Sequence, residues 1–197
     1  MLNPGYFLFC VLLSAFLFSN YAQEKKAFET FSFGGSYVSN VNEETLHNYW
    51  SSGSGFEGYF ATPFFIGNFQ VGLTYLPFEG KTESYPDFNS YLIYVQWGYR
   101  FYLPHNFSLS VDALTGIDQL DFDESAEAII SEGEIAEREI AIGLSSTISF
   151  EIVPTWNLNF LTSYQRIYTK ERIDLINLSI GLSKSFDSPE WLKDFLE

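Results

Sequence analysis

Ile176-Asn177-Leu178-Ser179-Ile180-Gly181-Leu182-Ser183-Lys184-Ser185-Phe186 decides the fold. Ile176, Leu178, Ile180, Leu182 and Phe186 share one parity, and Asn177, Ser179, Gly181, Ser183 and Ser185 share the other. A period of two is the signature of a strand with two unlike faces. The segment is also long: a tilted strand crosses a bilayer in about 9–11 residues, whereas strands of soluble sheets run to about 5–6.

The same alternation recurs upstream. Phe31, Phe33 and Tyr37 oppose Thr30, Ser32, Gly34 and Ser36, and Phe56 and Phe60 oppose Glu57, Tyr59 and Ala61. Phe69, Val71, Leu73 and Tyr75 oppose Gln70, Gly72 and Thr74. The stretch 89–102 sets Tyr91, Ile93, Val95, Trp97, Tyr99 and Phe101 against Ser90, Gln96, Gly98 and Arg100. Phe107, Leu109, Val111 and Ile117 oppose Ser108, Ser110, Asp112 and Gly116. In 139–152, Ile140, Ile142, Leu144, Ile148, Phe150 and Ile152 oppose Glu139, Gly143, Ser145, Thr147, Ser149 and Glu151. Trp156, Leu158, Phe160 and Tyr164 oppose Asn157, Asn159, Ser163 and Gln165. The pattern predicts eight strands in an all-β, antiparallel, up-and-down transmembrane barrel over residues 24–187.

The connections alternate too. Pro63 to Asn68, Pro104-His105-Asn106 and Pro154-Thr155-Trp156-Asn157 are short, and their prolines, unable to donate to a ladder, are read as strand ends. Ser39 to Gly55, Phe78 to Phe88 and Asp118 to Arg138 are longer and more polar, while the last connection, Tyr168 to Ile173, is short. Short turns at one end and long loops at the other are the habit of membrane barrels.

Period two alone does not say which face is inside, because a soluble barrel alternates with its apolar face inward. Three features favour lipid on the apolar side. The polar face is small, with Gly34, Gly72, Gly98, Gly116, Gly143 and Gly181 among its members, as a narrow interior requires. Aromatics gather at two heights: Phe31, Phe69, Phe107, Trp156 and Phe186 near the short turns, and Tyr37, Phe56, Tyr75, Tyr91 and Tyr164 near the long loops. Finally, Met1 to Gln23 has no Asp, Glu, Lys or Arg and carries the apolar run Tyr6 to Phe18. That run has signal-peptide length, with cleavage expected after Ala22; an uncleaved anchor is the alternative, since no Lys or Arg precedes it.

Composition agrees. Of 197 residues, 19% are aromatic (21 Phe, 13 Tyr, 4 Trp) and only 18% are charged, which excludes a disordered acidic tail. The formal charge is -15, from 10 Lys and Arg against 25 Asp and Glu, so the chain lacks the basic face of a nucleic-acid binder. One cysteine, Cys10 inside the apolar leader, leaves no disulfide framework and no cysteine-based zinc site.

The segment Ile176 to Phe186 resembles the closing strand of small bacterial outer-membrane barrels, the eight-stranded OmpA/OmpX-like proteins. The resemblance implies an outer-membrane location. It also implies that Phe186 serves as a signal read by the barrel-assembly machinery. Implied partners are outer-membrane lipids, lipopolysaccharide included, with a monomer as the assembled state. Unlike that family, the chain continues past its final aromatic. Ser188-Pro189-Glu190 reads as a helix start, and Trp191, Leu192, Phe195 and Leu196 share one face, so residues 188–197 are expected to form a short amphipathic tail.

Candidate chemistry is sparse. His47 lies in the first long connection and Ser84 and Asp87 in the second, an arrangement that resembles barrel acyltransferases acting on lipid A. In that family the Asp and Ser are adjacent, whereas Tyr85 and Pro86 intervene here. Asp121-Phe122-Asp123-Glu124 has the start of a calcium loop, but lacks its glycine and closing glutamate. The acidic connection 118–139 therefore reads as a solvated charged loop, and neither metal nor cofactor is expected. Charges of inward parity are Glu57, Arg100, Asp112, Glu139 and Glu151, read as a network plugging the lumen. Three functions stay open: a scaffold presenting outer loops for adhesion or envelope integrity, a lipid-modifying enzyme, and a narrow porin-like channel.

The parity has a direct consequence. Leu144→Arg, on the lipid face, should lower stability by about 2–4 kcal/mol. Ser145→Ala, one residue along and inward, should cost far less. Urea midpoints of the two variants in the same lipid decide it, and the reverse ranking would mean the faces are exchanged.

Overall fold

The computed structural model describes residues 27–41, 45–82, 84–123, 136–169 and 172–191. The leader and its cleavage point, and the tail beyond Trp191, lie outside the described residues. Nine strands form one sheet: β1 (Thr30–Asn40), β2 (Trp50–Ser52), β3 (Ser54–Phe64), β4 (Gly67–Gly80), β5 (Phe88–Leu103), β6 (Phe107–Phe122), β7 (Ala136–Val153), β8 (Trp156–Ile167) and β9 (Ile173–Asp187). All pairings are antiparallel, and β2 is a three-residue flap on the long-loop end of β4, with Trp50 opposite Gly80. The other eight close a ring: β1 pairs with β3 on one side and with β9 on the other, along Thr30–Asp187 to Asn40–Asn177. Among the described residues no helix is long and apolar enough to cross a membrane; the strands do so.

The faces sort as the parity requires. Phe33, Phe56, Ile93, Ile140 and Leu144 point outward and are 56–64% exposed, while Gln96, Asp112 and Ser145 point inward at 5% or less. An apolar surface on this scale has no place in water; it is the lipid belt of a transmembrane barrel. Its upper aromatic girdle is a continuous register row, Tyr37–Phe56–Tyr75–Tyr91, across four strands. A lower row carries Phe60, Phe33, Lys184 and Trp156, with the Lys184 ammonium 5.3 Å from the Trp156 ring and 5.0 Å from the Phe186 ring. Lysine among aromatics is the pattern of an interface, where the amine reaches polar headgroups.

The short turns fall at one end. Phe64 pairs with Gly67, Leu103 with Phe107 and Val153 with Trp156, so two or three residues make each reversal. Phe65, His105, Asn106 and Thr155 take positive φ (51°, 61°, 62° and 74°), as tight hairpins demand. Pro104 and Pro154 sit in turns, but Pro63 does not end its strand: it lies inside β3 opposite Asn68 and accepts the Phe28 amide at 2.8 Å.

Two further expectations are corrected. The strands are longer than the alternation suggests, so Asp118 and Asp121 belong to β6, and Glu137 and Arg138 join Glu139 in β7; the acidic connection shrinks to 123–135. Nor is the interior polar throughout. Val38, Leu76, Phe78, Leu92, Leu114, Leu120, Ile167 and Leu175 have inward parity and pack together in the long-loop half of the lumen.

A closed ring leaves no strand edge for detergent to open. The unboiled protein should therefore migrate faster on SDS gels than the boiled one. Equal mobility, together with a monomer that keeps its sheet signal without detergent, would contradict a membrane barrel.

Candidate functional site

The lumen is divided into storeys by the side chains its strands send inward. At the short-turn end is a polar cavity of about 300 Å³, lined by Ser, Thr and Asn side chains with Glu57, Arg100, Tyr59 and Glu151 among them. Arg100 Nε is buried there without a hydrogen-bond partner. Asp112, on the neighbouring strand β6, is 2% exposed. Of the five inward charges, Glu57, Arg100 and Glu151 thus share this cavity, while Glu139 lies at the opposite mouth.

A hydrogen-bonded diaphragm crosses the lumen above the cavity. The Tyr94 hydroxyl donates to Glu57 Oε1, Ser36 Oγ donates to Glu57 Oε2 at 2.7 Å, and Gln70 Nε2 donates to the Tyr94 oxygen at 2.8 Å. On the other wall Asn159 Nδ2 donates to Tyr59 Oη at 3.0 Å and to Ser183 Oγ at 2.9 Å. Ser145 Oγ donates to Gln96 Oε1 at 3.2 Å. Glycines make room for the two rings. Tyr94 is the register partner of Gly72 and Tyr59 that of Gly34, and a Cβ on either glycine would collide with the partner ring at its Cζ. Small side chains of inward parity are the complement of these tyrosines.

Above the diaphragm comes the apolar plug, and above that a mouth pocket of about 280 Å³ between β2, β5, β6, β7 and the β8–β9 connection. Near it the structure places the sequence-derived catalytic candidates. His47 Nε2 is 3.3 Å from Ser52 Oγ, its carbonyl accepts from the Lys81 ammonium, and Asp87 Oδ1 accepts the Gly80 amide at 2.7 Å. Ser84 is exposed. The Lys81–His47 bond ties the first two outer connections together, whereas the His47 ring and Asp87 each bond within their own connection. Phe186 is outward on β9, close to the short-turn end.

Sequence reasoning misses the apolar plug and the mouth pocket. The plug becomes visible when parity is carried to every inward position, since Leu92 and Tyr94 stand between Ser90 and Gln96.

No protein-family model matches the chain, and no curated protein matches its sequence. Solved structures do. Neisserial surface protein A aligns with TM-score 0.53 at 13% identity over 83% of this chain and 100% of that one. The attachment invasion locus protein Ail of Yersinia pestis, solved with the heparin analogue sucrose octasulfate, aligns with TM-score 0.53 at 12% identity over 82% and 100%. A major outer membrane protein of Thermus thermophilus aligns with TM-score 0.56 at 8% identity over 82% and 100%. The chain has the fold of the eight-stranded barrels of bacterial outer membranes, with the lipid belt such a fold requires.

The ring-over-glycine pairs make a sharp comparison. Gly72→Ala should force the Tyr94 ring off Glu57 and cost about 1–3 kcal/mol, the usual penalty of overpacking. Gly58→Ala should cost nothing measurable, because its Cβ would point into open space with nothing within 4 Å. Thermal unfolding of both variants in one detergent tests this; equal midpoints would mean that Tyr94 is not fixed.

Proposed function

We propose that this outer-membrane barrel is a scaffold that presents its outer connections for adhesion or envelope integrity, rather than a channel or an enzyme. The observation that carries the reading is the closed lumen. Tyr94, Phe78, Leu92, Ile167 and Leu175 are each 3% exposed or less, and they fill the bore between the polar cavity and the mouth. An ion entering that plug would give up much of its hydration against these apolar walls. What is left for contact is the long-loop end.

Within this reading the partners are outer-membrane lipids, lipopolysaccharide included, and the barrel-assembly machinery, with Phe186 as its signal; the barrel acts as a monomer. A sulfated polyanion of the kind bound to Ail is a poor match for a chain of formal charge -15. The enzyme alternative draws less support, because His47 and Asp87 are engaged in holding loops.

In planar bilayers the purified barrel should give no unitary conductance steps. Lipid A mass spectra should be identical with and without the gene, and replacing residues 124–135 by a glycine-serine linker should abolish cell attachment while the gel shift persists. Unitary steps, or a lipid A change that disappears in His47→Ala, would overturn the proposal.

A further inference from the structure

The mouth pocket has the walls of a selective site. Trp50, Tyr49, Phe88 and Phe122 form its aromatic side, Leu120 and Ile173 part of its floor. The rings are held in place. Phe88 stacks on Phe78 with centroids 4.7 Å apart and planes at 11°, and meets Phe122 at 5.3 Å and Trp50 at 5.6 Å. The Trp50 indole N–H donates to the Pro86 carbonyl at 2.8 Å, fixing the ring across two connections.

Facing these rings, β7 contributes Glu137 and Glu139. Asp118 is the register partner of Glu139, is 1% exposed and faces the same lumen. Its Oδ1 accepts from Ser90 Oγ at 2.8 Å, while Oδ2 is buried without a hydrogen-bond partner. Arg172 is the one basic residue among the described lining residues and stands exposed at the rim. The pocket thus combines π faces, which present negative potential, with two lining carboxylates and a third, buried one across the ladder from Glu139, over a floor that includes Leu120 and Ile173.

We infer that this pocket binds a small organic cation whose nitrogen carries apolar substituents. A metal ion is the wrong guest, because hard cations require a shell of oxygen ligands and here the rings occupy that space. An anion meets repulsion from the carboxylates. A neutral apolar molecule satisfies the floor but leaves the charge unanswered. An alkylated ammonium satisfies both, since it is weakly hydrated and lies well against aromatic faces. The volume suits about ten to fifteen heavy atoms, at the lower limit of small-molecule sites. The inference goes beyond the scaffold reading and depends only on the barrel fold.

Calorimetric titration of the folded protein in nonionic detergent micelles tests it, with benzyltrimethylammonium as the probe and benzyl alcohol as its uncharged counterpart. The cation should bind saturably, at least about tenfold more tightly than the alcohol, which corresponds to about 1.4 kcal/mol of cation–π and charge attraction. The double variant Glu137→Gln/Glu139→Gln should weaken cation binding about tenfold, and Trp50→Leu comparably. Glu79→Gln, an exposed acid outside the pocket, should leave it unchanged. The gel shift establishes that each variant is folded, and the carboxylate pair tests the idea even where Trp50→Leu fails to fold. No saturable binding, equal affinity for the alcohol, or a double variant that binds like wild type would overturn the inference. Failure here leaves the scaffold reading intact, because that reading stands on conductance, lipid A and attachment.

Discussion

Backbone pairing between β1 and β9 is the interaction on which everything else depends. In hydrocarbon no water is available to a peptide N–H or C=O, and each one left unpaired costs several kcal/mol. An open eight-stranded sheet would present two such edges to lipid. The pairs from Thr30–Asp187 to Asn40–Asn177 remove both at once. Closure then dictates the rest: every strand has one face to lipid and one to a narrow bore, so the alternation of Ile176 to Phe186 has to repeat around the ring.

The bore imposes its own constraint, which is volume. Eight strands leave too little room for large side chains at every inward position and too much for small ones at all of them. The chain answers with cross-strand complementarity. Tyr94 lies over Gly72 and Tyr59 over Gly34, and the freed ring hydroxyls reach Glu57 and Asn159. A half-buried carboxylate in such a place is tolerable because Ser36 and Tyr94 both donate to it. Toward the outer mouth the chain changes strategy and fills the bore with Phe78, Phe88, Leu92 and Leu175, which need no polar partners.

Much of this is legible in the residues, and the limits are physical. Parity decides which face meets lipid, because a one-residue slip would turn Leu144 and Ser145 inside out. Alternation understates strand length because its signal fades where both faces become polar: Asp118, Asp121 and Glu137 look like loop acids, yet β6 and β7 carry them. The apolar plug escapes notice for the opposite reason. Tyr91-Leu92-Ile93-Tyr94-Val95 is apolar on both parities, and a run of that kind hides its inward members. The cavities depend on contacts between strands far apart in sequence, such as Asn159 with Tyr59, and no local pattern announces those.

The two ends of the bore differ in a way that follows from this division. In the polar cavity Arg100 and Glu57 sit among hydroxyls and amides, which can solvate either charge. At the mouth Glu137 stands exposed and Glu139 half-buried over an apolar floor that includes Leu120 and Ile173. Protein polar groups therefore answer the charges at one end and water answers them at the other, although the two ends belong to one lumen. The apolar plug keeps them apart: it denies water a continuous path, and so preserves the low dielectric beneath the mouth. Sealing the bore and sharpening the outer pocket are consequences of the same packed side chains.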